Sequence, residues 1–179
     1  LTNKALLSIT GEGTGISGNN SSITNESTWN ITLKKGTNIS AQSSMVKNYG
    51  VLSNDDGIGL YGNNSNIENY GDINVIAGTG IKVENNSYLT NSGILNTGDT
   101  GINTVNSTIN NTGNITAGVN SLGIYSKTAI VNHLSGTIKV GDNGTAIYSD
   151  QGNITIGSGA TITLGTKNAV AAYGINSSS

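Results

Sequence analysis

Apolar and polar positions alternate along most of this chain. Ile67, Asn69, Gly71, Ile73 and Val75 fall on one side of an extended segment, and Glu68, Tyr70, Asp72 and Asn74 on the other. Period-two alternation with β-branched residues predicts strands with one face turned inward. No window carries the i, i+3, i+4 spacing of an amphipathic helix, and the density of Gly and Asn opposes helix formation. No helix is expected.

The strands are organised by a repeat. A Gly-Ile or Ala-Ile type start recurs at Ile16, Ile39, Ile58, Ile81, Ile102, Ile124, Ile147 and Val170, with intervals averaging 22 residues. A second signature, apolar-x-Asn-x-Gly, shares that period: Val46 to Gly50, Ile67 to Gly71, Leu89 to Gly93 and Ile109 to Gly113. Short strands punctuated by Asn-Asn, Asn-Gly and Asp-Gly turns at this spacing predict an all-β parallel β-helix (β-solenoid). It should have about eight coils of two or three strands each. Stacked about 4.8 Å apart, the coils make a rod roughly 40 Å long. A leucine-rich repeat has a similar period, but the chain holds only 11 Leu and lacks the xxLxLxxN spacing. Residues 1–37 are expected to be less regular first coils, 38–175 the regular β-helix repeats, and 176–179 a ragged end.

The same pattern says what holds the coils together. Four or five Ile, Val, Leu or Ala side chains per coil should stack on their equivalents, each large one contributing about 1.5–3 kcal/mol. Asn48, Asn69, Asn91 and Asn111 suit an inward ladder of amides, because Asn both donates and accepts; Asn132 is the candidate for the next rung. Gly50, Gly71, Gly93 and Gly113 follow by two residues, and should either take positive φ or let the backbone bend sharply.

Composition then removes whole classes of chemistry. Asn (28), Gly (26), Thr (22) and Ser (21) dominate, while Cys, Arg, Pro and Phe are absent. There is no disulfide framework and no Cys nucleophile, and a single histidine, His133, cannot form a histidine metal cluster. His133 is read as a surface or turn residue. A net charge of −2 offers no footprint for nucleic acid, and no apolar run is long enough to insert this segment in a membrane. The six aspartates, Asp55, Asp56, Asp72, Asp99, Asp142 and Asp150, are the candidate catalytic carboxylates, since β-helices also carry polysaccharide lyases and glycosidases. Three of those places precede a coil start, where Asp serves the turn, and without Arg only scattered Lys could stabilise an enolate. No catalytic residue, metal or cofactor is expected.

Outward aromatics share the period. Tyr49 and Tyr70 are 21 residues apart and Tyr125 and Tyr148 are 23 apart, so each pair should stack on adjacent coils. These four are the candidate ligand-binding residues, suited to sugars or protein partners. The competing reading is that aromatic pairs only stabilise a sheet.

The run from Asn48 to Tyr61, followed by Ile67-Glu-Asn69-Tyr-Gly71-Asp-Ile73, resembles the passenger region of large type V autotransporter adhesins, especially the fusobacterial ones, over roughly residues 38–175. The resemblance implies a β-helical stalk on the bacterial cell surface, anchored by an outer-membrane barrel outside this chain. Its partners would be a host-cell glycan or protein receptor, or other bacteria. The alternatives are a purely structural stalk that displays a distal binding domain and, less favoured, a carbohydrate-active β-helix enzyme. Exposed strand edges at the two ends also suggest end-to-end self-association.

Overall fold

Strands that alternate in this way can bury their apolar side by stacking in register, and the chain does so throughout. The computed structural model describes residues 1–176, which form eighteen strands and no helix. The expected ragged end lies outside the described residues except for Asn176. All pairings are parallel and join each coil to the next, giving a β-solenoid of about eight turns.

Each turn contributes three strand segments. The first face carries the inward residues Ile31, Leu52, Ile73, Leu95, Ile115 and Ile138. The second carries Ile16, Ile39, Leu60, Ile81, Ile102, Ile124 and Ile147, and ends at Ala172. The third carries Ile23, Val46, Ile67, Leu89, Ile109, Val131 and Ile154. With the small Ala and Val positions added, three to five apolar side chains are buried in each coil between the two end coils.

Two of the repeat starts read from the sequence sit two residues early. Ile39 pairs with Leu60, while Ile58 lies opposite Thr37 and Thr79. At the far end Ile147 pairs with Ala172, while Val170 pairs with Thr145. A Gly-Ile pair is a local sign of a strand start, whereas register is fixed by which residue must point inward. Register slips in only two places among the described strands, between Ile9 and Glu12 and between His133 and Ser135. From Ser22–Asn25 and Asn30–Gln42 onward the pairings of the early coils run without a shift.

The corners explain the composition. Between the second and third faces every coil places a residue in the left-handed region: Asn20, Ser43, Asn64, Asn86, Asn106, Thr128 and Gln151, with φ between 48° and 61°. Asn tolerates this conformation better than most residues, and left-handed positions take nine of the 28 asparagines. Between the first and second faces the early coils turn instead on Gly36, Gly57 and Gly78, at φ 114°, 140° and 126°. From Asn120 onward that corner is made by left-handed Asn120, Asn143 and Asn168, whose exposed amides hydrogen-bond from coil to coil at 3.1 Å.

Gly50, Gly71, Gly93 and Gly113 resolve to the second of the two roles expected for them. None takes a positive φ. The chain bends so close to the adjacent coil that a Cβ on Gly71 would strike the Gly50 carbonyl oxygen, and one on Gly93 that of Gly71. Gly71→Ala should therefore cost about 1–3 kcal/mol, as overpacking against a backbone that cannot retreat. Ser17→Ala, on the exposed surface, should stay within about 0.5 kcal/mol. Thermal unfolding of the two variants compares them directly.

Candidate functional site

The interior polar residues form ordered rows. Asn3 Nδ2 donates to Asn25 Oδ1 at 2.8 Å, Asn25 to Asn48 at 2.8 Å, and Asn48 to Asn69 at 2.7 Å. Asn69 donates to Asn91 at 2.8 Å and Asn91 to Asn111 at 2.7 Å. The second amide hydrogen of Asn48, Asn69 and Asn111 goes to the carbonyl two residues on, that of Gly50, Gly71 and Gly113. The expected ladder is present and reaches two rungs further toward the amino end.

At its other end the expectation is overturned. The next rung is His133, fully buried, while Asn132 lies on the outer side and donates to Asn110 Oδ1 at 2.8 Å. The reason is alternation: Val131 points inward as Ile109 does, so the inward residue two further on is His133. His133 is therefore a core residue, not a surface or turn one. Asn111 Nδ2 lies 3.0 Å from His133 Nδ1, which assigns the acceptor role to Nδ1 and the proton to Nε2. Nε2 makes no well-formed hydrogen bond, and the following rung is Ile156. Burial pushes the imidazole below its ordinary value, while the backbones of Thr161 and Asn111 oppose this only in part.

A second buried row was not read from the sequence. The Oγ of Ser44, Ser65, Ser87 and Ser107 each accepts from the backbone N–H of the serine one coil earlier, at 3.0–3.1 Å. Each also donates to a carbonyl two or three residues back in its own coil. The available signal was an Asn-Ser or Ser-Ser dipeptide at the repeat period, hidden by the abundance of both residues.

On the outside the tyrosines stack as expected, but on separate parts of the rod. Tyr49 and Tyr70 lie beside the third face with ring centroids 5.1 Å apart and planes 7° from parallel. Tyr125 and Tyr148, on the second face, are 5.5 Å apart at 8°, and Tyr173 extends that stack at 5.5 Å and 22°. Tyr173 escaped sequence reading because the last coil start was placed two residues early. In both stacks ring faces lie against each other, so solvent meets mainly edges and hydroxyls. The Tyr70 hydroxyl donates to Glu68 Oε2 at 3.1 Å, and Lys47 Nζ lies 3.0 Å from the same oxygen. That carboxylate raises the Tyr70 and Lys47 pKa values, chiefly through these hydrogen bonds. Further along the second face Lys82 sits 5.5 Å from the Tyr61 ring centroid and 3.2 Å from Glu84, which also accepts from the Tyr61 hydroxyl.

The aspartates do not converge. Asp142 Oδ1 accepts from the Thr166 and Lys167 backbone N–H groups at 2.6 and 3.2 Å, a turn role in keeping with its position. Among the described residues no three His, Asp or Glu gather as a metal site. The chain matches no known protein family, no curated protein and no solved structure.

The ladder's end generates a pH dependence. His133 binds its proton less readily folded than unfolded, where its pKa is about 6.5. Below that value the unfolded chain takes up a proton that the native state does not, so stability falls with pH. It is fully present above about 6.5. Because His133 is the only histidine, the thermal midpoint should drop between pH 7.5 and 5.5, by up to about 1.4 kcal/mol per pH unit in stability. His133→Asn, which replaces the imidazole by another amide, should flatten that slope.

Proposed function

We propose that this chain is a segment of a bacterial cell-surface adhesin. It would act in the manner of the autotransporter passengers that its repeats resemble, and be held at the outer membrane by a barrel outside these 179 residues. The β-solenoid is a rigid spacer whose outer faces hold side chains in register from coil to coil, with short runs of like residues such as Tyr125, Tyr148 and Tyr173. Such a surface suits attachment to a host glycan or protein receptor, or to another bacterium, through many weak contacts. The observation that carries this reading is the exposed Tyr49–Tyr70 stack, tied to the Glu68–Lys47 pair. It sets an ordered, amphipathic patch on a surface with few charges.

The second reading, a structural stalk that displays a distal binding domain, is favoured by the way the ring faces are used up within each stack. No enzymatic step is assigned: Asp142 serves a turn, Glu68 and Glu84 are paired with lysine and tyrosine side chains, and among the described residues no three carboxylates or histidines gather as a metal site. Saturable binding of the purified rod to epithelial cells, reduced about tenfold or more by Tyr49→Ala combined with Tyr70→Ala with an unchanged circular dichroism spectrum, is the result expected of an adhesive face. A folded rod that binds no cell, or a double variant that binds as well as the parent, assigns the chain to the stalk.

A further inference from the structure

The longest of the turns between the second and third faces borders a cleft that no tyrosine stack occupies. Between the second and third faces most coils cross with a single left-handed residue, but here Asn85 and Asn86 are both left-handed, at φ 56° and 61°. The strand ending at Glu84 is followed by one starting at Tyr88, whereas in the preceding coil Asn63 is followed by Asn66. The extra residue lies in the first of three successive corners that line one cleft. That cleft has a volume of about 530 Å³, inside the range of roughly 300–1,000 Å³ usual for small-ligand sites.

Its walls come from a break in one outward column. Successive coils place Tyr88, Thr108 and Ile130 at the same position. Tyr88 and Ile130 are large and 43% and 45% exposed, with the smaller Thr108 between them. The Tyr88 hydroxyl accepts from Asn110 Nδ2, and Asn110 is in turn held by Asn132, so the ring is braced. Tyr88 and Ile130 stand on coils two rungs, about 9.6 Å, apart. A saturated six-membered ring touching both at van der Waals distance, about 3.5–4 Å from each, occupies most of that space.

The chemistry of the rim matches the same guest. Asn85, Asn86, Asn106 and Thr128 line the cleft, and no Lys, Asp, Glu or His does. Asn85 Nδ2 is engaged with Asn63 at 3.1 Å, while the side-chain amides of Asn86 and Asn106 have no hydrogen-bond partner among the described residues. Amides donate and accept at once, as sugar hydroxyls require. The structure thus combines an aromatic wall, an aliphatic wall, an uncharged floor and a rim of free amides.

We infer that this corner is a binding site for a neutral pyranose residue, seated between Tyr88 and Ile130 above Thr108 and hydrogen-bonded by Asn86 and Asn106. The inference goes beyond the adhesive reading and stands on the cleft alone. A rod that binds no cell but takes up a sugar here leaves it intact, and a rod that adheres without doing so refutes it alone.

Saturation-transfer NMR tests it with the methyl glycosides of glucose, galactose, mannose and N-acetylglucosamine at millimolar concentration, and with methyl glucuronide as the charged comparator. At least one neutral glycoside should receive transfer at its ring protons. Thr108→Leu, which fills the floor, and Tyr88→Ala, which removes a wall, should each reduce it fivefold or more while retaining the β-sheet circular dichroism of the parent. The Tyr49→Ala, Tyr70→Ala double variant should leave it unchanged. The inference is overturned by an absence of transfer to every neutral glycoside, by undiminished transfer in either cleft variant, by its loss in the tyrosine-stack variant, or by stronger transfer to the glucuronide. Should one cleft variant fail to fold, the other decides.

Discussion

A rise of about 4.8 Å from coil to coil is the constraint on which everything else in this molecule depends. At that spacing an inward side chain has its counterpart in the next coil as its nearest neighbour, so each interior position must suit a near copy of itself. Isoleucine on isoleucine meets the condition by packing. Asparagine meets it by donating to one neighbour while accepting from the other, and glycine by leaving room for backbone that comes too close for a Cβ. A carboxylate on a carboxylate fails it, because like charges in a dry interior repel. The charged residues are accordingly found at turns and on the outer faces.

On the outside the same geometry makes aromatic stacks, and it limits what they offer. Rings held parallel to one another turn their faces along the axis and show their edges to solvent. Relief arises instead where a column changes residue type. Tyr88, Thr108 and Ile130 differ in size at one register position, and a concavity results. In a solenoid, then, uniform columns supply rigidity and interrupted ones supply shape.

The architecture was legible from the sequence because period-two alternation and a 22-residue recurrence are independent signals that agree. The amide ladder was legible wherever Asn and Gly kept their fixed separation, and it was misread at one rung. There, residue identity favoured Asn132 while alternation from Val131 required His133, and the inward direction prevailed. The serine row went unseen for the opposite reason: in a chain rich in Ser and Asn a recurring pair carries little contrast. Register at Leu60 and Ala172 could be fixed only in three dimensions, since corner length varies from coil to coil. The cleft depends on one such variation, the extra residue at Asn85-Asn86, together with the sizes of three side chains that are neighbours only across coils.

The amide ladder has one more property. From Asn3 to Asn111 each carboxamide gives its hydrogen toward the carboxyl-terminal side and receives from the amino-terminal side. Their dipoles therefore add head to tail, as peptide dipoles do in a helix. A cross-section that nearly repeats itself conceals this sense of direction, yet the rod carries an electrical vector along its axis. As far as this vector is concerned, two such rods lying side by side lower their energy when they point in opposite directions.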